Sequence, residues 1–228
     1  MSVAKYEIRA DFDRDTIVVY QAYGDTIANG AIAAGTFVSP FSRRRMTWIK
    51  PSFLWLMQRS GWGTKTNQER ILAVRITRAG WESALGRAVL TNWDKAVHAT
   101  HDAWAVDFER AHAHVQWDPE RSLRGAKLEH RSIQVGISRH LIDAFVDAWI
   151  VGVEDYTARA HKIRRLLRDG KADAARRLLP PEEIYPLDAK LGARIGASAS
   201  ILAPYRTRAT ATSPGTGAWD KALRRSRR

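Results

Sequence analysis

Two stretches of the sequence, VVYQAYGDTIANGAIAAGTF (residues 18–37) and RRRMTWIKPSFLWLMQRSGWGTKTNQERILAVRI (residues 43–76), decide the fold. The first begins with a β-branched run that is typical of a strand, and its alanine-rich second half predicts a helix that ends at Gly35. The second contains an extended segment, then a helix that begins at Pro51 and ends at Gly61, and finally an alternating strand. Strands and helices therefore alternate through the first third of the chain.

The rest of the chain continues this mixture of elements. A helix is predicted over residues 78–90, strands over 112–117 and 131–137, a mainly helical stretch over 138–168, and a short helix before Pro180. No internal repeat is present. The order of elements is that of an α+β protein.

The composition changes towards the C-terminus. From about residue 191 the chain consists largely of Ala, Ser, Thr, Gly, Pro and Arg, which bury too little apolar surface to fold. We therefore expect one α+β domain over residues 1–190, with a small mixed or antiparallel sheet core and flanking helices. A disordered basic tail is expected over residues 191–228.

The net charge of the chain is +13, and its pI is near 10.5. Residues 194–228 hold eight of the Lys and Arg but one Asp, a net +7, which leaves +6 for the rest. One interpretation is a nucleic-acid partner that binds mainly through the tail. The other is that the excess of arginine reflects genome composition.

The chain contains no cysteine, which excludes disulfides, thiol catalysis, iron–sulfur clusters and cysteine-ligated zinc. Its first residues, MSVAKYEIRADFDRD, include no apolar stretch that would serve as a signal peptide. No later segment reaches the length of a membrane span. We expect a soluble cytoplasmic protein without membrane association.

Aromatic and basic residues alternate over residues 48–62 and indicate a binding pocket. Trp48 and Trp55 lie close in sequence to Lys50 and Arg59. A flat anionic ligand needs stacking and charge together, and this combination supplies both. The alternative is a core helix whose polar face is basic, and the sequence leaves both interpretations open.

Most motifs of known catalytic sites are missing from the chain, including Walker A, Gly-x-Gly-x-x-Gly, Gly-x-Ser-x-Gly and His-Glu-x-x-His. Histidine pairs with the spacing of metal ligands are His98 with His101 and His112 with His114, with Asp102 or Asp118 to complete a site. Such pairs arise easily by chance among seven histidines. We therefore expect no metal.

Two strands carry polar residues at positions where sites are commonly built. In HRSIQVGI, Gln134 lies between small residues on one face, which a ligand can approach closely. The alternative is a hydrogen bond from Gln134 to a loop. At the end of the first strand, Tyr20 and Gln21 offer a phenol and an amide. The alternative there is a tyrosine packed under its own helix.

Phrases spread over residues 5–190 resemble those of a bacterial and fungal family known as domain of unknown function 4291. They are IRADFDRDTIVVYQAY, RMTWIKPSFLWLMQRSGW, QERILAVRI, HRSIQVGI and WIVGVEDYT, of which RMTWIKPSF is distinctive. The chain is identified as a member of this family, and that membership by itself implies no activity.

The order of the elements also resembles the ADP-ribosyltransferase superfamily. Those enzymes often begin with a Tyr-His-Gly-Thr-like strand followed by a helix that ends in glycine. The stretch VVYQAYGDTIANGAIAAGTF has this layout, with Gln21 in place of the histidine. The strand through Ile49 and the helix from Pro51 match the element that stacks nicotinamide, and Gln134 matches the usual catalytic glutamate. The resemblance implies an ADP-ribosyltransferase-like fold and an NAD-utilising transferase.

The resemblance also implies a role for each candidate residue. Trp48 or Trp55 stacks a ring of NAD, Lys50 and Arg59 neutralise the pyrophosphate, and Gln134 orients the reacting sugar. The full set comprises catalytic Gln134 and Tyr20, with NAD held by Arg9, Gln21, Trp48, Lys50, Ser52, Trp55 and Arg59. The acceptor is not specified, and the basic tail favours a nucleic acid.

The two glutamines depart from the superfamily pattern and open an alternative. A glutamine holds a ribose hydroxyl, but it neither acts as a base nor carries the charge that stabilises an oxocarbenium ion. The alternative is a non-catalytic module that binds a nucleotide or a nucleic acid, and a structural or interaction protein is a third possibility. A carboxylate close to Gln134, from Glu129, Glu154 or Asp155, would favour the enzyme.

Overall fold

The computed structural model describes residues 4–198, and none of the helices within them is both long and apolar enough to cross a membrane. The strands are β1 (Arg9–Ala10), β2 (Thr16–Tyr23), β3 (Thr47–Ile49), β4 (Arg70–Thr77), β5 (Ala88–Leu90), β6 (Ala113–Arg121), β7 (Lys127–Ile137), β8 (Ile150–Asp155) and β9 (Glu183–Ile184). The helices are α1 (Asp25–Ala34), α2 (Phe53–Ser60), α3 (Arg78–Leu85), α4 (His101–Arg110), α5 (Ile142–Ala144), α6 (Thr157–Arg168), α7 (Ala172–Arg176) and α8 (Ala189–Arg194). A π-helical turn over Phe145–Trp149 follows α5. The predicted α+β class is confirmed.

Two sheets form the centre of the fold. One is antiparallel with the order β2–β4–β8, and the other has the order β3–β7–β6–β5. The second sheet is mixed, because β5 runs parallel to β6 while its other pairs are antiparallel. β1 and β9 pair separately. The two sheets meet where Tyr20 of β2 bridges Lys50, the residue after β3, and the Tyr20 N–H donates to the Lys50 carbonyl at 2.6 Å.

The strand β2 contributes to two apolar cores because its side chains alternate between faces. Val19 lies in the larger core, which contains the inner faces of both sheets together with α1 and α3. Val18 and Tyr20 lie in a smaller core, which α2, α6 and α7 cover. The face of β2 that a side chain takes therefore decides which of its neighbours it meets.

The prediction of helix differs from the structure in two places. Residues 150–155 were predicted within a helical stretch, but they form β8, which pairs with β4 from Leu72 to Ile76. Residues 88–90 were predicted at the end of a helix, but they form β5 beside β6. Both strands are short and gain their hydrogen bonds from partners distant in the sequence, which local periodicity does not reveal.

The packed part of the chain continues past residue 190. Ile195 is fully buried, and its carbonyl accepts a hydrogen bond from Trp117 Nε1 at 2.8 Å. The Tyr6 N–H donates to Ser198 Oγ at 3.1 Å. These contacts attach the end of the described chain to the domain. The disordered tail was predicted over residues 191–228, but residues 191–198 pack against the domain; residues 199–228 lie outside the described residues.

Candidate functional site

A cleft of about 1000 Å³ opens where β2 and β3 diverge beyond the Tyr20–Lys50 bridge. The end of β2, the first turn of α1 and the segment before β3 form its walls, together with the C-terminal half of α2 and the loop that follows. Four residues predicted for the site line it, namely Gln21, Trp48, Lys50 and Arg59. This cavity is called the cleft.

Three cations line the cleft, namely Arg45, Lys50 and Arg59. Within residues 4–198 none of the three forms an ion pair with a carboxylate. Asp25 also lines the cleft, but its carboxylate already accepts from Arg70 at 2.8 Å. Glu69 lines the cleft as well and accepts from the Asn67 N–H at 2.9 Å. Three basic side chains against two carboxylates, one of them paired with Arg70, leave an excess of positive charge, which favours an anionic ligand.

Lys50 is the most unusual of these cations, because it is only 7% exposed. Its Nζ donates to the Trp48 carbonyl at 3.1 Å and lies 5.4 Å from the centroid of the Trp55 ring. Burial lowers the pKa of Lys50 to about 7, repulsion from Arg59 acts in the same direction, and attraction to Asp118 opposes both. The amine is therefore poised to take up a proton when an anion approaches.

Gln21 crosses from β2 to β3 at the base of the cleft. Its Nε2 donates to Thr47 Oγ1 at 2.6 Å and to the Tyr23 hydroxyl at 2.9 Å. Burial raises the pKa of Tyr23 to about 12, so the phenol is neutral. The other end of the amide, Oε1, is buried and has no partner within residues 4–198. Gln21 therefore lines the cleft with a side chain whose acceptor atom is enclosed and has no donor in the described part of the chain.

The first turn of α1 adds a further positive feature to the cleft. Gly24, Asp25 and Thr26 all line it, and the helix has no side-chain cap at Gly24. The leading N–H groups of a helix carry a partial positive charge. They reinforce the three cations rather than forming a site by themselves.

Tyr20 does not line the cleft, although it precedes Gln21 directly. Its side chain is fully buried on the opposite face of β2, where its ring packs against Phe53 with centroids 5.5 Å apart. Burial raises its pKa, and its hydroxyl has no hydrogen-bond partner within the described chain. The structure therefore does not bring the phenol of Tyr20 together with Gln21.

Three other predicted residues also lie outside the lining of the cleft. Arg9 donates from Nε to Glu7 at 3.0 Å. Ser52 is the N-cap of α2, and its Oγ accepts from the Trp55 N–H at 3.2 Å. The ring of Trp55 covers Lys50 without facing the cavity. Arg9 and Ser52 thus already have partners, while Trp55 contributes indirectly through Lys50.

Gln134 lies beyond Lys50 on the same face of the second sheet. Ile49 pairs with Val135, so Lys50 is next to Gln134 in the register. The Gln134 Nε2 donates to Asp118 Oδ2 at 2.7 Å. Gln134 does not line the cleft, and its amide is held by a carboxylate from the neighbouring strand.

Asp118 is the carboxylate that reaches Gln134. Its other oxygen, Oδ1, accepts from Gln116 Nε2 at 2.9 Å, so two glutamine amides fix the carboxylate. From the sequence, Glu129, Glu154 or Asp155 was expected in this position. Asp155 instead pairs with Arg70 at 2.6 Å. In the sequence, the alternation of β6 places Gln116 and Asp118 on one face. To predict that this face meets Gln134, one also needs the register between β6 and β7.

The small residue beside Gln134 accommodates a protein side chain. A Cβ at Gly136 would lie 2.7 Å from Met46 Sδ and 3.1 Å from Trp48 Cζ2. Trp48 and Met46 therefore fill the space above Gly136 that the sequence offered to a ligand. The glycine allows the indole of Trp48 to lie close to the sheet at the edge of the cleft.

The histidine pairs do not form a metal centre in the described part of the chain. The His112 ring stacks on His140 with centroids 5.0 Å apart, whereas the His114 ring contacts Phe108 at 4.4 Å. Within residues 4–198 no group of three or more His, Cys, Asp or Glu is placed to hold a metal ion.

Comparison with known families assigns the chain to a family. Residues 7–185 match the family model described as domain of unknown function DUF4291. The chain belongs to this family. No curated protein matches it. Every residue that lines the cleft falls within the matched range, so the cleft is part of the DUF4291 domain.

Proposed function

We propose that this DUF4291 protein is an NAD-utilising transferase of the ADP-ribosyltransferase type. The observation that carries the proposal is the cleft between the two sheets, with three basic side chains that form no ion pair within residues 4–198 and the indole of Trp48 beside them. NAD combines two phosphates with flat rings, so it needs this combination of charge and aromatic surface. A sheet divided at the cleft, with β2 and a helix that ends at Gly35 on one side, supports an ADP-ribosyltransferase-like fold.

The binding mode follows from the position of each group. The pyrophosphate meets Lys50 and Arg59 near the amides of the first turn of α1. Trp48 stacks one ring of the ligand, and the side chain of Gln21 holds a ribose hydroxyl. The negative charge of the phosphate favours the protonated form of Lys50, so binding is coupled to proton uptake.

The transfer requires negative charge beside the reacting sugar, which Gln134 lacks. We assign that charge to Asp118, which does not line the cleft itself but attracts Lys50 in its wall, and whose two oxygens are held by Gln116 and Gln134. In the reaction the bond between the nicotinamide nitrogen and ribose C1′ breaks, and its electron pair leaves with neutral nicotinamide. A lone pair of the acceptor then forms the new bond to C1′, and the acceptor proton passes to solvent. The carboxylate stabilises the oxocarbenium-like state in between.

The test measures NAD binding by calorimetry and nicotinamide release by chromatography on the same protein. Lys50→Ala should weaken NAD binding by roughly 1–3 kcal/mol, the scale of a charge-assisted hydrogen bond. Asp118→Asn should leave affinity within a few-fold and slow nicotinamide release by about 10²–10³. Asp102→Asn, an exposed carboxylate on α4, is the matched control and should change neither. An unmodified protein that binds no NAD would refute the proposal.

A non-catalytic module that binds a nucleotide or a nucleic acid is the second candidate. It is favoured because the carboxylate of Asp118 and the amide of Gln134 already satisfy each other. The carboxylates that line the cleft, Asp25 and Glu69, are engaged by Arg70 and by the Asn67 N–H. NAD that binds without release of nicotinamide, or oligonucleotides that bind tightly where NAD does not, would identify this module.

A further inference from the structure

The positive charge of the chain is concentrated in two segments, and one of them belongs to the folded domain. Of the 37 Lys and Arg and 24 Asp and Glu, residues 157–177 hold eight and two, and residues 194–228 hold eight and one. That leaves 21 of each sign in the rest of the chain. We call residues 157–177, which contain α6 and α7, the basic hairpin.

Except for Arg159, which donates to two backbone carbonyls, the cations of the basic hairpin lie on its exposed side. Ala160, Ile163 and Ala175 are fully buried in the smaller core, where α6 packs against β4 and α7 packs against α6. On the other side lie seven cations that form no ion pair within residues 4–198, namely Lys162, Arg164, Arg165, Arg168, Lys171, Arg176 and Arg177. The like charges repel one another, so a polyanion that neutralises them would bind this surface favourably.

The basic hairpin lies beside one lip of the cleft. His161 Nε2 is 3.4 Å from the point that a Cβ at Gly63 would occupy. Gly63 belongs to the loop between α2 and β4, and Asn67, Gln68 and Glu69 of the same loop line the cleft. A long polymer bound along the hairpin therefore passes close to the cleft.

We propose that the basic hairpin binds the phosphodiester backbone of a nucleic acid and holds that polymer beside the cleft. As a consequence, which rests on the proposed function, the acceptor of the transfer is a nucleic acid. Arginine matches this partner because its planar guanidinium bonds phosphate oxygens in pairs. An anionic membrane is disfavoured, since a helix that binds a bilayer needs a free apolar face and the apolar face of α6 is buried.

The test uses the full chain and measures fluorescence anisotropy with short labelled single-stranded RNA and double-stranded DNA. The variant replaces three exposed cations of the hairpin, K162Q, R165Q and R168Q, and the matched control replaces three exposed cations elsewhere, R87Q, K95Q and R110Q. Loss of about three phosphate contacts should weaken binding roughly a hundredfold at about 0.1 M salt. The slope of log affinity against log salt should also fall by about 2–3. The control should move both quantities far less.

Each result decides the proposal. A hundredfold loss that is confined to the hairpin variant, for either nucleic acid, supports it. Equal losses in hairpin variant and control mean that net charge alone or the tail carries the binding, and they overturn it. Hairpin-dependent binding to phosphatidylserine vesicles, with none to either oligonucleotide, also overturns it. NAD affinity of the hairpin variant, measured separately, should match the unmodified protein, so a failure of the cleft proposal is distinguishable from a failure of this one.

Discussion

The two ends of α2 differ in whether their polar and charged groups have partners inside the protein. At the N-terminal end, Ser52 Oγ accepts from the Trp55 N–H and Glu182 Oε1 accepts from the Phe53 N–H at 2.7 Å. At the C-terminal end, Lys65 Nζ donates to the Arg59 carbonyl, while the guanidinium of Arg59 faces the cleft without an ion pair in the described chain. The helix dipole favours a carboxyl group at the first end and a cation at the second. In the described chain, only the C-terminal end has a charged side chain without an ion-pair partner, namely Arg59. The lack of a partner therefore identifies the binding site better than the presence of charge does.

The same contrast appears in the pKa values of the buried groups near each end. Burial raises the pKa of Glu182 to about 8, and repulsion from Glu120 contributes, while the bond from Phe53 opposes. Burial lowers the pKa of Lys50 to about 7, as described above. The Glu182 carboxyl accepts a hydrogen bond from a donor inside the protein, the Phe53 N–H. Within residues 4–198 Lys50 directly contacts a carbonyl and an aromatic ring, and it is attracted by Asp118 without forming an ion pair, so an anion from outside would be its first ion-pair partner.

Replacement of Lys50 should produce the largest effect. Its pKa lies near 7 in the folded protein and near its ordinary value of 10.5 when unfolded, so the unfolded state binds more protons between these values. The free energy of unfolding should therefore rise with pH across this window. Between about pH 7 and pH 9 the rise should be about 2 kcal/mol greater than in Lys50→Met.

Urea unfolding at several pH values measures this difference, since groups common to both proteins cancel. Lys65→Met is the matched control, because Lys65 is an exposed lysine at the same end of α2. Its curve should run parallel to that of the unmodified protein. Parallel curves for Lys50→Met as well would show that Lys50 is charged at pH 7 and has a partner, and the contrast between the two ends would disappear.

Arg59 should affect the ligand more than the fold. Because Arg59 is exposed and has no ion pair in the described chain, Arg59→Gln should change the free energy of unfolding by less than about 0.5 kcal/mol at pH 7. NAD affinity should fall about tenfold, or about 1.4 kcal/mol. The pKa of Lys50 should rise, because a repulsive neighbour is removed.

Calorimetric titration with NAD gives the affinity of Arg59→Gln. The control is Arg44→Gln, which removes an exposed arginine next in sequence to Arg45 but outside the cleft lining. If the two variants lose affinity equally, the effect comes from net charge and not from contact at the cleft.

The sequence was sufficient for the elements around the cleft, because strong local signals bound them. Gly35 and Gly61 both take the left-handed conformation that ends a helix, and Ser52 caps the helix that Pro51 introduces. β8 could not be recognised in the same way. Its partner is β4, some 80 residues earlier in the pairing of Leu72 with Asp155, and pairing at that distance leaves no local pattern.

For the site, the sequence predicts only which side chains lie on the same face of a strand. Alternation along β2 separates Tyr20 from Gln21, so a single ribose cannot meet both side chains across the sheet. It also places Gln116 and Asp118 on one face of β6. That this face meets Gln134 depends on the pairing of Gln116 with Gln134, which is a property of the register between strands. The sequence therefore indicates which residues could belong to the site, but not which residues they contact.

Ser52 gives the smallest expected effect and tests the N-terminal end of α2. The resemblance assigned this serine to NAD, whereas its Oγ accepts from the Trp55 N–H and the residue is only 2% exposed. Ser52→Ala should reduce the free energy of unfolding by about 1 kcal/mol, the usual value of an N-cap, and leave NAD affinity unchanged. Thr77→Ala is the matched control, because it removes the cap of α3, whose residues do not line the cleft. Equal losses of stability with unchanged affinity would show that the N-terminal end of α2 is purely structural. A loss of NAD affinity in Ser52→Ala alone would instead extend the ligand site along the whole of α2, and the contrast between its two ends would no longer distinguish a binding end from a structural one.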